Sequence, residues 1–155
     1  MVFKIGRFAY PAEYKWGGKY IISDGVIQEI QVEYDELKDY KFFCFNGKVK
    51  FFKVDFGRFV EHHANYYSPD GTLLAFGEAG FPPEPSYPVE IPSNLNKMVS
   101  LAERLSEHIH FLRVDFYNIN GKIFFGELTF YPASGFFTWT SDEIDRQIGD
   151  FIQTI

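Results

Sequence analysis

The chain has 155 residues, 46% hydrophobic and 23% charged, the balance of one globular domain with a sizeable core, which argues against extended disorder. Fifteen Lys and Arg against 21 Asp and Glu give a formal charge of −6, the wrong sign for gripping nucleic-acid phosphates, so no nucleic-acid partner is expected. Aromatic residues reach 20%, with 19 Phe and 10 Tyr, which favours sheets over a purely helical bundle. No apolar run approaches the ~20 residues of a membrane helix, and Met1-Val-Phe-Lys4 opens no secretory pattern, so no transmembrane segment and a cytoplasmic location are expected. The single cysteine, Cys44, stands among phenylalanines. It excludes an internal disulfide or a Cys-based zinc site and reads as a core residue.

Between Gly18 and Gln31, the apolar runs Tyr20-Ile-Ile22 and Val26-Ile27 flank Ser23-Asp-Gly25, two short strands about a turn. Asn46-Gly47 and Asn120-Gly121, each between runs rich in Phe, Val and Ile, predict two hairpins. Five prolines between Phe81 and Pro92 exclude helix interior and central strand there. Leu95, Met98, Val99, Ala102 and Leu105 then recur at helical spacing behind Ser93 or Asn94 as cap. Ile144, Ile148, Phe151 and Ile152 form a second helical stripe, with Thr140 and Glu143 matching a capping box. The order predicts one α+β domain over residues 1–155, a mostly antiparallel sheet with helices packed on one face.

The hairpin Phe111–Phe130 carries the candidate chemistry. A two-residue loop would put Val114 and Phe116 on one face with Glu127 and Thr129, mixing apolar and polar residues. A three-residue loop, Ile119-Asn-Gly121, pairs Asn118 with Lys122 and Asp115 with Phe125 and separates the faces. Val114, Phe116, Phe124, Gly126, Leu128 and Phe130 then share one side, and Arg113, Asp115, Tyr117, Glu127 and Thr129 the other. This register is the expectation. It places two carboxylates, Asp115 and Glu127, on neighbouring strands of one face with Arg113 across from Glu127. Such hard oxygen donors suit Mg²⁺, with water and phosphate oxygens filling the octahedron, and Arg113 would hold an anion nearby. The plain alternative is an exposed sheet face with an ordinary cross-strand Arg–Glu pair.

Arg113-Val-Asp115, an Asn-Gly turn, then Glu127-Leu-Thr129-Phe-Tyr-Pro132-Ala-Ser-Gly135 resembles the last strand pair of the ATP-grasp fold, whose pattern is Arg-x-Asp, a hairpin, Glu-x-Asn and a Pro-Gly turn. Tyr40-Lys-Phe-Phe-Cys-Phe-Asn-Gly47 and Gly126-Glu-Leu-Thr-Phe-Tyr-Pro132 are similar to the TupA-like ATP-grasp family, linked to teichuronopeptide and surface-polysaccharide biosynthesis and often labelled glycosyltransferase. The likeness runs from about Glu13 to about Asp150. It implies a C-terminal ATP-grasp lobe with ATP and Mg²⁺ as cofactors, Asp115 and Glu127 as metal ligands, and Arg113 facing phosphate or an acyl phosphate. Thr129 stands where many relatives have a metal-binding Asn. Ile27-Gln-Glu29 looks like the strand end that grips adenine, which points to Glu29 at the ribose, and Asp39-Tyr-Lys41 like a step that meets phosphate or an anionic substrate through Lys41. Arg58 and His62 resemble the family's Arg-x-x-x-His element, with His62 as a proton acceptor; a surface loop pair is the alternative. His108 and His110 read as helix-end residues.

Trp16-Gly-Gly-Lys19 lacks the spacing of a phosphate loop. In the family the other lobe supplies the lid and a phosphate-binding lysine, so the resemblance implies that an N-terminal lobe, either in a longer chain of which this is a piece or as the separate half of a split enzyme, completes the enzyme and that this lobe alone binds without catalysing. The expected substrates are a nucleotide and a carboxylate-bearing glycan or peptide. The rival functions are a non-catalytic carbohydrate-binding module, stacking sugars on Tyr66, Tyr67, Phe136, Phe137 and Trp139 in loops, and a glycosyltransferase-associated domain, although the chain has no Asp-x-Asp motif.

Overall fold

A computed structural model describes residues 4–6, 19–23, 26–30, 38–57 and 61–152, the first three stretches as strand backbone alone. Strands β1 (Lys4–Gly6), β2 (Lys19–Ser23) and β3 (Val26–Ile30) pair antiparallel in sequence order. The main sheet holds β4 (Asp39–Phe45), β5 (Lys48–Phe56), β6 (His63–Tyr67), β7 (Phe111–Ile119) and β8 (Lys122–Thr129), in the order β6-β5-β4-β7-β8 and antiparallel throughout. Both Asn-Gly steps are tight hairpin turns. Asn46 and Gly47 have φ of 49° and 73°, and Asn120 and Gly121 have 51° and 74°, the left-handed pair whose twist matches the flanking strands.

Helix α1 (Leu95–Leu105) lies in sequence between β6 and β7, and α2 (Asp142–Gly149) follows β8. The class is α+β as expected, but the helices cover opposite faces rather than one. Tyr40, Phe42 and Cys44 of β4, with Phe52 and Val54 of β5 and Leu112, Val114 and Phe116 of β7, pack with Leu95, Met98 and Ala102 of α1. The alternate residues Phe43, Phe45, Phe51 and Tyr66 pack with Ile148 of α2, backed by Phe137 and Trp139. A strand with large apolar side chains in both phases has to be covered twice, since burying each such side chain contributes about 1.5–3 kcal/mol. Phe43 stacks on Phe51 with ring centroids 4.8 Å apart, and Trp139 meets Phe51 edge-on at 5.7 Å, geometries that suit the ring quadrupoles.

The caps differ in detail from expectation. Ser141, not Thr140, caps α2, its Oγ accepting from the Ile144 amide at 3.3 Å, and Asp142, Glu143 and Asp145 complement the dipole of the first turn. Asn94 stands at the start of α1 without capping it by side chain. It donates to the Gly121 carbonyl at 2.8 Å and pairs with Asn118, tying the helix to the β7–β8 hairpin. Among the described residues no helix is long and apolar enough to cross a membrane.

Candidate functional site

The β7–β8 register combines a two-residue turn with a bulge, and the expected three-residue loop is absent. Ile119 pairs with Lys122, Tyr117 with Phe124 and Phe116 with Phe125, but beyond the irregularity Val114 pairs with Leu128 and Arg113 with Thr129. Gly126 and Glu127 of β8 thus oppose Asp115 alone. Phe125, not Phe124, joins Val114 and Phe116 in the α1 core, and Arg113 lies opposite Thr129 rather than Glu127. The bulge needs a glycine: a Cβ on Gly126 would stand 2.9 Å from the Asp115 carbonyl oxygen and 3.3 Å from Tyr117 Cε2. One extra residue restores the polar face that the longer loop was expected to produce.

Asp115, Arg113, Glu127 and Thr129 accordingly meet on that face. Arg113 Nε donates to Asp115 Oδ1 at 2.8 Å, and Nη2 donates both to Asp115 Oδ2 at 2.8 Å and to Glu127 Oε1 at 2.6 Å. Thr129 Oγ1 donates to the same Glu127 oxygen at 3.2 Å. Lys41, opposite Asp115 on β4, donates to Asp115 Oδ2 at 2.8 Å and to Asp39 at 2.5 Å. Asp115 is 1% exposed, so the plain exposed-face alternative does not describe it; the Glu127 side chain, 62% exposed, forms the open rim. Burial pushes the Asp115 carboxyl up from its ordinary value, against the pull of Lys41 and Arg113. Burial works to lower the Lys41 ammonium and the Arg113 guanidinium, yet their carboxylate partners outweigh it and hold both above their usual range.

The same charged band continues onto β5. Lys53, cross-strand from Lys41, contacts Glu78 at 2.5 Å and Asp55 at 3.3 Å, all three nearly fully buried. His62 joins its far end, Nε2 lying 3.1 Å from Asp55 Oδ1 and the ring against Phe81 with centroids 3.7 Å apart. Sequence reasoning missed Lys53, Asp55 and Glu78 as site residues. A signal for the first two was present: Asp39-x-Lys41, Lys53-x-Asp55 and Arg113-x-Asp115 place opposite charges two apart on three strands that prove adjacent.

Of the other expected residues, Glu29 is placed by its backbone in β3, opposite Tyr20, its side chain lying outside the described residues, as does Arg58 altogether. Tyr66 and Tyr67, expected in loops, belong to β6 and are buried at 0% and 5% exposure, so they offer no sugar-stacking surface. Phe136 is exposed, while Phe137 and Trp139 are half-buried and line an apolar hollow of about 590 Å³ together with Phe43, Phe111 and Phe130.

The carboxylates of Asp115 and Glu127 suit a divalent cation in one specific respect. A single cationic nitrogen, Arg113 Nη2, is within 2.8 Å of an oxygen from each, so the two converge on one point. Among the described residues no group of three or more His, Cys, Asp or Glu side chains converges, so two carboxylates are the most this point offers, a number that Mg²⁺ tolerates. No curated protein and no solved structure matches the chain. The family model described as TupA-like ATPgrasp matches residues 9–153, nearly the whole sequence and all of the charged band, and the chain belongs to the TupA-like ATP-grasp family.

Proposed function

We propose that this chain is the nucleotide- and Mg²⁺-binding lobe of an ATP-grasp carboxylate–amine ligase acting in the assembly of cell-surface polysaccharide or teichuronopeptide. Family membership supports an ATP-grasp domain, and the observation that carries the finer reading is the convergence of Asp115 and Glu127 on Arg113 Nη2. Asp115 and Glu127 are the residues that would hold Mg²⁺, with the Thr129 hydroxyl beside Glu127 as a weaker donor. The bound metal would supply charge neutralisation at the transferring phosphoryl group.

Arg113 presents a fork suited to phosphate or an acyl phosphate, Lys41 a cation for the anionic substrate, and Glu29 a carboxylate for the ribose. His62, whose Nε2 lies 3.1 Å from Asp55 Oδ1, is the proton acceptor, and Arg58 is its companion in the family's Arg-x-x-x-His pattern. The carboxylate substrate is a glycan or peptide. Calorimetry with a non-hydrolysable ATP analogue tests the reading. Binding should require Mg²⁺ and disappear in Asp115→Ala and Glu127→Ala; equal binding with and without magnesium, or unchanged binding by both variants, refutes it. Saturable binding of neutral oligosaccharide with no response to nucleotide would support the carbohydrate-binding alternative instead.

A further inference from the structure

The point on which the two carboxylates converge is held by the protein's own cation. Arg113 engages Asp115 through both Nε and Nη2, each at 2.8 Å, and reaches Glu127 with the same Nη2 at 2.6 Å. Lys41 Nζ adds a second positive charge on Asp115 Oδ2. A divalent cation approaching the free protein therefore meets a bidentate, charge-assisted pair, with Asp115 1% exposed and the Arg113 side chain 12% exposed. Such pairs are about twice as strong as neutral hydrogen bonds and are hard to break in a dry setting.

We infer that Arg113 is an internal counter-cation that keeps the Asp115–Glu127 metal position closed until a phosphate-bearing ligand draws its guanidinium away. This rests on the metal reading above and adds its regulation. A phosphate offers Arg113 the same two-oxygen face that Asp115 offers, so the exchange replaces one forked pair by another and leaves the carboxylate oxygens for the metal. Glu127, at the exposed rim, is the partner released first. Binding is then coupled: the anion raises the affinity for the metal by the factor by which the metal raises the affinity for the anion. The free protein is metal-poor, and nucleotide and metal enter together.

Mn²⁺ is the probe, with free ion measured by electron paramagnetic resonance. Wild type without nucleotide should bind Mn²⁺ weakly, and Arg113→Gln at least about tenfold more tightly, equivalent to ~1.4 kcal/mol. Adding Glu127→Gln to Arg113→Gln should remove that gain. Equal Mn²⁺ affinity in wild type and Arg113→Gln overturns the inference, and if that shared binding is lost with Glu127→Gln the metal site itself stands. Absence of Mn²⁺ binding in every form, with or without an ATP analogue, overturns both. Should Arg113→Gln fail to fold, the Arg113 Nε–H resonance of wild type gives an independent result. It should stay in place with millimolar Mg²⁺ alone and move with Mg²⁺ plus the ATP analogue; movement with Mg²⁺ alone overturns the inference.

Discussion

Gly126→Ala tests the link between local backbone and site. The added Cβ would lie 2.9 Å from the Asp115 carbonyl oxygen and 3.3 Å from both the Asp115 carbonyl carbon and Tyr117 Cε2, and two of these atoms are backbone and cannot rotate away. Overpacking of this kind costs about 1–3 kcal/mol, offset in part by the ~0.4–1 kcal/mol that alanine removes from the entropy of the unfolded chain. A net loss of about 1–2 kcal/mol is expected, a fall in Tm of about 2–8 °C for a chain of this size. Gly149→Ala is the control, since no atom lies within 4 Å of its built Cβ and its φ is not left-handed; it should stabilise by about 0.4–1 kcal/mol. Urea unfolding and thermal melts measure both. The Arg113 Nε–H resonance should also move in Gly126→Ala, because the bulge sets Glu127 and Asp115 about one guanidinium. A Gly126→Ala protein as stable as Gly149→Ala, with that resonance unmoved, would refute the bulge as the device that builds the site.

Lys53→Met removes the buried ammonium between Asp55 and Glu78 and should cost about 3–5 kcal/mol in urea unfolding, with partial recovery when Glu78→Gln is added; a loss below about 1 kcal/mol contradicts the burial assigned to the pair. Ser141→Ala deletes the acceptor for the Ile144 amide and should cost about 1 kcal/mol, read from the same curves, whereas Thr140→Ala should leave α2 unchanged. Burial pushes the Cys44 thiol up from 9.0 to about 11, so the thiol should stay inert to alkylating reagents at mildly alkaline pH in the folded protein. Because the folded value lies above the unfolded one, its stabilising contribution is complete below about pH 9 and is lost as pH rises towards about 11, at most about 3 kcal/mol for that difference. Rapid labelling of Cys44 at pH 8 without unfolding would contradict it.

Much of the architecture is local and was legible in the chain itself. Asn46-Gly47 and Asn120-Gly121 specify their turns because few residues tolerate two consecutive left-handed positions, and the apolar spacing from Leu95 to Ala102 specifies α1 because one face of a helix repeats every 3.6 residues. Arg113, Asp115, Glu127 and Thr129 share one face, as the separation of polar from apolar residues predicts, but a bulge and not a three-residue loop brings them there. Alternation along one strand carries no record of an extra residue, and the room at Gly126 is set by the Asp115 carbonyl of another strand. Tertiary structure alone decided the rest. Strand order made Lys41 and Lys53 neighbours and buried them among Asp39, Asp115, Asp55 and Glu78; it turned Tyr66 and Tyr67 into core and sent α1 and α2 to opposite faces. Local sequence determines turns and periodicities because those energies act between near neighbours. Which charges share a dry, two-sided sheet depends on contacts between residues distant in the chain, and those exist only once the strands have assembled.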